Sequence, residues 1–260
     1  MTHDSEHAML ELLELDGEVL GAHLSRVLTE LARLLPAPPQ RILDLGAGTG
    51  VGTLALLEHF DKAEVIAVDR SPRMLDVLRA KADSAGVADR VRIVTADLAR
   101  PWPDFGPVDL IWTDSFLHHL PDATIALRQA FGALTTGGLL AAAEKDSYPI
   151  PRFLGESALE DRLAALMRSD HPPVRPALTE AGFRIVADRR YDIALAGPAT
   201  PVLRRYAQLC LSRMLHFGRD GLTPADREAL TTLTAPTGAD SVLHRADLTV
   251  RTTRTLLVAG

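Results

Sequence analysis

One short stretch constrains this chain more than any other: Asp44-Leu45-Gly46-Ala47-Gly48-Thr49-Gly50. The apolar run before and into it (Ile42, Leu43, Leu45) reads as a buried strand. Val51 to Phe60, after it, carries apolar residues at helical spacing. The glycines therefore stand between a strand and a helix, where the backbone must turn sharply and come close to a ligand. That is the layout of a nucleotide site at the carboxyl end of an open parallel sheet. The spacing narrows the choice. A dinucleotide fingerprint G-x-G-x-x-G begun at Gly46 would need glycine at Val51, and begun at Gly48 would need one at Thr53. A P-loop would need a lysine that is absent here.

The same grammar repeats downstream. Glu64-Val65-Ile66-Ala67-Val68-Asp69 is a second buried strand ending in a carboxylate, and Ser71-Pro72 supplies a cap and a start for a helix to about Ser84. Val91 to Val94 is a third strand leading into Thr95-Ala96-Asp97-Leu98. Val108 to Trp112 is a fourth, followed by Thr113-Asp114-Ser115-Phe116-Leu117-His118-His119-Leu120-Pro121-Asp122. Pro121 opens a helix to about Leu134, and Thr136-Gly137-Gly138 ends it before a fifth strand, Leu139 to Ala143. Up to Glu144, strands and helices alternate, which demands a parallel sheet with right-handed crossovers. A long helix over 8–35, stopped by Pro36, Pro38 and Pro39, precedes the alternation. After Glu144 the pattern changes. Residues 146–176 are proline-rich around a helix from Glu156 to Met167, and Ala177 to Gly182 closes a short helix. Phe183 to Ala187 is strand-like, 198–236 is helical, and Leu248 to Ala259 is strongly β-forming.

The D-x-G-x-G-x-G turn, the carboxylate closing the second strand, the Asp97-Leu98 pair and the Ser115 to Asp122 run together resemble the class I S-adenosylmethionine (SAM) dependent methyltransferases of the small-molecule type. The resemblance is close over 41–144 and looser beyond. It implies a Rossmann-like, doubly wound, mostly parallel seven-stranded α/β sheet with an antiparallel edge strand and helical cap insertions at about 146–176 and 198–236. It also implies a helical segment over 1–40 covering the cofactor mouth, where Glu18 and His23 lie on the polar face, and a SAM-binding domain over 41–260. For the cofactor it implies Asp44 facing the methionine ammonium and the main chain at Gly46, Gly48 and Gly50 against ribose and methionine. Asp69, with Arg70 beside it, would take the ribose hydroxyls. Asp97 would accept the adenine amine, and the Leu98 N–H would reach a ring nitrogen. Met74 touches the adenine or packs in the core, and Thr113 closes the site after the fourth strand.

SAM carries a methyl already activated by a sulfonium. The protein must align the acceptor, exclude water, and remove a proton where the acceptor bears one. His118 and His119 are the candidate bases, since an imidazole titrates near ~6.5. In an extended chain they cannot both face one pocket, and His118 is assigned to the substrate side; the other reading is that a histidine orients the loop. Tyr148, His171, Tyr206 and His216 are candidates for lining an acceptor pocket. Asp114 with Asp146 is the one carboxylate pair a metal could use, and no metal is expected.

Composition sets outer bounds. The net charge of −6 leaves no electrostatic footprint for nucleic acid. The single Cys210 excludes an internal disulfide framework and a cysteine zinc cluster, and reads as core. A polar, acidic start and the lack of a long apolar run predict a cytoplasmic protein with no membrane partner. Basic residues are nearly all arginine, the lysines being Lys62, Lys81 and Lys145, which fits a GC-rich bacterial genome. The expected reaction is methylation of the oxygen or nitrogen of a hydrophobic bacterial secondary metabolite, releasing S-adenosylhomocysteine, by a possible homodimer. The alternatives are a SAM enzyme of the same fold that decarboxylates or cyclises, a non-catalytic SAM-binding protein, and, least in keeping with the glycine spacing, a nicotinamide oxidoreductase.

Overall fold

The apolar runs become the strands of one sheet, and their burial explains why they read so clearly. In the computed structural model, which describes residues 3–145, 151–166, 174–217 and 221–260, the elements alternate. They run α1 (His3–Leu34), β1 (Arg41–Leu45), α2 (Val51–His59), β2 (Glu64–Asp69), α3 (Pro72–Ser84), β3 (Val91–Thr95), β4 (Val108–Asp114), α4 (Ala123–Ala133) and β5 (Leu134–Lys145). There follow α5 (Ala158–Leu166), α6 (Val174–Glu180), β6 (Ile185–Leu195), α7 (Pro201–Phe217), α8 (Pro224–Thr234) and β7 (Val250–Ala259). The seven strands lie in the order β3-β2-β1-β4-β5-β7-β6. The first five pair in parallel. Arg184 and Gly260, flanking β6 and β7, exchange both backbone hydrogen bonds, at 2.9 and 3.1 Å, the pattern of an antiparallel pair. The doubly wound sheet with its antiparallel edge is thus the expected one.

Central strands read as continuous apolar runs because both faces are covered. Ile42, Leu43 and Leu45 are fully buried, as are Val65, Ala67 and Val68 of β2. Edge strands read less clearly. β6 ends the sheet, so most of Asp188 to Leu195 faces water, and the apolar signal stops at Ala187 although the strand continues. Two helix boundaries also move. Asp122 Oδ1 accepts from Thr124 N at 2.8 Å, so α4 starts after this cap rather than at Pro121. At its other end the chain turns directly into β5 at Leu134, and the Thr136-Gly137-Gly138 break falls inside the strand. There the register against β4 shifts between Val108 and Leu110. A side chain on Gly138 would come 3.0 Å from the Asp109 carbonyl, so glycine fits this irregularity.

The chain packs as two compact units. One comprises 22–144, 171–190 and 255–260 and holds most of the sheet. Its core gathers Leu43, Leu45, Ile66, Val68, Ile111 and Leu140 with Leu127 and Ala130 of α4. The other comprises 1–21, 145–170 and 191–254. It is mainly helical, with a core of Leu20, Phe153, Leu163, Tyr206, Leu211 and Met214. Cys210 belongs to this core, where burial pushes its thiol up to about 12. Within the same unit the Tyr206 hydroxyl donates to Asp16, and Arg254 binds the same carboxylate at 3.1 Å. No helix among the described residues is long and apolar enough to cross a membrane.

Candidate functional site

The strand order reverses between β1 and β4, the place where an open α/β sheet leaves a crevice outside the carboxyl ends of its strands. Asp44 of β1 is in register with Trp112 of β4, and Leu45 with Thr113. The glycine turn springs from this point. Gly46, Gly48 and Gly50 all have left-handed backbones, with φ of 74°, 54° and 84°. Two of them have an internal reason as well. A Cβ on Gly46 would lie 2.4 Å from the Phe116 ring, and one on Gly50 would lie 2.6 Å from Leu78 Cγ. Close approach of chain to chain, as well as room for a ligand, accounts for the glycines.

The turn is held from β2. Val68 O accepts from Gly46 N and Ala47 N at 2.9 and 3.0 Å. Asp69 Oδ2 accepts from Gly48 N at 3.0 Å, and its Oδ1 accepts from Ser71 N at 2.8 Å. Each carboxylate oxygen has two acceptor positions, so Asp69 keeps capacity for two further donors. Ser71 caps α3 by accepting from Met74 N, as its sequence context suggested. Arg70, next to Asp69, is exposed. Beyond β3, the exposed Asp97 accepts from Ala99 N at 3.0 Å, and Leu98 is buried in the core. Asp44 is 2% exposed and takes a hydrogen bond from Thr53 Oγ1 at 2.5 Å. Burial pushes its carboxyl up to about 7; Thr53 opposes this, and Asp114 and Asp69 add to it.

After β4 the chain takes a strained step. Ser115 sits at φ 52°, a left-handed conformation uncommon outside glycine, and its N–H donates to Ala143 O at 2.7 Å. Leu117–His119 then forms a single 3₁₀ turn. The two histidines are therefore not on an extended chain; their rings lie 4.0 Å apart at 45°. His119 is exposed. His118 turns toward β5, where its Nδ1 lies 3.0 Å from Glu144 Oε2. Glu144 Oε1 accepts from Phe116 N at 3.2 Å and Leu117 N at 2.9 Å. This 8%-exposed carboxylate thus fixes both the loop and the imidazole. An ionised Glu144 could only accept from Nδ1–H, and the neutral tautomer that allows this leaves a lone pair on Nε2.

Sequence reasoning missed Glu144. The signal was present, since an acidic residue closing an apolar strand is the pattern already noted at Asp44 and Asp69. Of the acceptor-pocket candidates, Tyr206 is buried, bonded to Asp16, and His216 is exposed. Tyr148, His171 and Asp146 lie outside the described residues. Among the described residues no three His, Cys, Asp or Glu side chains gather to hold a metal.

The chemistry of this edge selects a charge. Asp44, Asp69, Asp97, Asp114 and Glu144 all stand at or just beyond the carboxyl ends of β1 to β5. Such a rim favours a cation and opposes a pyrophosphate. Two buried polar atoms at the switch point, Trp112 Nε1 and Thr113 Oγ1, have no hydrogen-bond partner among the described residues, as expected where a polar ligand completes the site. The residues present therefore fit a sulfonium nucleoside with an ammonium tail.

Comparisons with known proteins agree. Residues 42–138 match the family described as methyltransferase domain. The chain is 33% identical over 176 residues to the trans-aconitate 2-methyltransferase of Streptomyces coelicolor, covering 62% of this chain and 58% of that protein. It is 39% identical over 118 residues to the demethylmenaquinone methyltransferase of Thermus thermophilus, covering 45% and 51%. It spans 44–58% of the length of several such trans-aconitate enzymes. The fold is shared with the [4+2]-cyclase SpnF, at a TM-score of 0.53 and 19% identity over 90% of this chain and 80% of that one. The glycine turn, the strand order and the acidic strand tips agree with these matches, which support a class I SAM-dependent methyltransferase with its methyltransferase domain over residues 42–138.

Proposed function

We propose that this protein methylates a small-molecule acceptor that must lose a proton, with His118 as the general base and Glu144 as its positioning residue. The observation that carries the reading is the 3.0 Å contact between His118 Nδ1 and a buried carboxylate bonded to the two backbone N–H groups before it. An acceptor carboxylate is already ionised at neutral pH and needs no base, whereas a hydroxyl, an amine or an acidic carbon does. The dyad therefore favours the second kind of acceptor.

When bound, SAM supplies a methyl on a positively charged sulfur. The protein's own part is electrostatic and geometric. Asp69 has acceptor capacity for two ribose hydroxyls, and Asp97 for an exocyclic amine. The Gly46 to Gly50 turn would bring main chain to the nucleoside, with Met74, the Leu98 N–H, Arg70 and Thr113 available to it. Asp44 would meet the ammonium. His118 Nε2 takes the acceptor proton, and Glu144 holds the ring in the tautomer that can do so while stabilising the imidazolium that results.

The relatives named for trans-aconitate and for demethylmenaquinone mark two acceptor chemistries, a carboxylate and a quinone-type ring. The test is to incubate the full chain with SAM and each of two acceptor panels, carboxylic acids and phenols or hydroquinones, and to quantify S-adenosylhomocysteine. Turnover of the second panel, lost in His118→Ala with cofactor affinity kept, is the expected result. Turnover of carboxylic acids alone, unchanged in His118→Ala, would refute it. A cyclase reading is retained by the fold shared with SpnF and predicts an acceptor consumed with no S-adenosylhomocysteine formed.

A further inference from the structure

The crevice contains a group that the reaction above does not use. Trp112 is wholly buried, and its indole N–H has no acceptor among the described residues. It is the register partner of Asp44 across β1 and β4. Gly52, in the first turn of α2, shows how near the two are. A Cβ there would come 3.0 Å from Trp112 Nε1 and 3.7 Å from Asp44 Oδ2. A buried carboxyl and a buried, unsatisfied donor thus border the same side-chain-free spot.

The surroundings of Asp44 disfavour its charge. From α2 it meets the hydroxyl of Thr53. The charges of Asp114 on β4 and Asp69 on β2 act against its ionisation. Burial and these two neighbours hold its carboxyl up at about 7. An approaching ammonium reverses that balance. It supplies the missing opposite charge, and the ionised carboxylate then has acceptor positions for Thr53 O–H, the ammonium and Trp112 N–H together.

Resting on the SAM reading above, we propose that Asp44 carries a proton until the cofactor's ammonium arrives and then releases it to solvent, with Trp112 Nε1–H as the donor that holds the ionised carboxylate. No covalent bond changes. The ammonium is already protonated, an α-amino group having a pKa of about 8, so one proton leaves for each cofactor captured under acidic conditions. Trp112 acts on the cofactor through Asp44 and is a positioning residue.

The experiment is calorimetric titration of the full chain between pH 5.5 and 7.5, in buffers of different ionisation enthalpy, with two ligands. S-adenosylhomocysteine carries the amino-acid tail, and 5′-methylthioadenosine lacks it. The expected result is release of nearly one proton with S-adenosylhomocysteine at pH 6, and an affinity that rises roughly 15-fold from pH 5.5 to 7. With 5′-methylthioadenosine neither effect should appear, which separates Asp44 from the histidines nearby. Asp44→Asn should remove the proton release, and Trp112→Phe should weaken S-adenosylhomocysteine at pH 7.5 by roughly tenfold while sparing 5′-methylthioadenosine. Binding of both ligands with no proton release at pH 6 would overturn the proposal and leave the SAM reading standing. Unchanged affinity in Trp112→Phe would overturn the role of the indole. Failure of both ligands to bind would overturn both the proposal and the reading beneath it.

Discussion

Replacing Glu144 by glutamine separates the two tasks of this side chain. The amide keeps its volume, and its oxygen can still accept from Leu117 N and Phe116 N, now at 2.9 and 3.2 Å from a carboxylate oxygen. Exchanging a charged acceptor for a neutral one costs about 1 kcal/mol per bond, so the loop should lose roughly 2 kcal/mol. For a chain of this size that lowers the melting temperature by roughly 4–8 °C. The effect on His118 is larger. The amide NH₂ now faces Nδ1, so the ring presents a lone pair there and moves its hydrogen to Nε2. The imidazole becomes a donor where a base is needed. General-base catalysis contributes about 10²–10⁴ in rate, or roughly 3–5 kcal/mol of barrier. The assay is S-adenosylhomocysteine formation with a phenolic acceptor, alongside calorimetric affinity for S-adenosylhomocysteine. Turnover should fall at least a hundredfold with cofactor affinity within about twofold of the parent. A Glu144→Gln protein that turns over at the parent rate would refute the dyad. Glu144→Ala does not discriminate, because it strands the Leu117 N–H in the core and disturbs the fold as well.

Other expectations concern the cofactor cradle and its stability. Asp69→Ala removes the acceptor for ribose; a hydrogen bond to a charged group is worth roughly 1.5–3 kcal/mol, so S-adenosylhomocysteine should bind 10- to 150-fold more weakly by calorimetry. A change under threefold would contradict the placement of the nucleoside. Gly50→Ala forces a left-handed alanine, at roughly 1–2 kcal/mol, and pushes a methyl to 2.6 Å from Leu78 Cγ. Urea unfolding should show a loss of roughly 2–4 kcal/mol with overpacking included, and a loss below about 1 kcal/mol would count against the packing described. The pH dependence of stability follows from Asp44. Its value of about 7 in the folded chain exceeds the ordinary 3.8, so the folded state binds more protons between these limits. The resulting stabilisation is complete below about pH 4 and is lost as pH rises to 7, by up to roughly 4 kcal/mol. Asp44→Asn should flatten this part of the stability curve, measured by denaturant titration from pH 5 to 8, and an unchanged slope would show that Asp44 ionises normally.

Much of the fold is legible in the sequence. The second strand and the helix from Pro72 to Ser84 fall where apolar runs, a serine cap and a proline placed them. Those signals are local, since a buried strand must be apolar on both faces and a cap must sit beside the first turn. The acidic tips Asp44, Asp69 and Asp97 were legible for the same reason, each being a charged residue at the end of a strand-like run, whereas Glu144 was passed over. Edge strand β6 was only half visible, because a strand exposed to water carries little apolar pattern.

What the chain order could not reveal was which tips meet. Glu144 lies 26 residues from His118, and Trp112 lies 68 from Asp44. Both pairs exist only because parallel pairing sets β4 beside β1 and β5 beside β4. The amino-acid sequence by itself determined the kind of sheet, the cofactor class and the residues available for chemistry, since these depend on near neighbours along the chain. Tertiary structure alone set His118 against Glu144 and buried Asp44 near the charges of Asp69 and Asp114, because these contacts and this burial are brought together across the sheet.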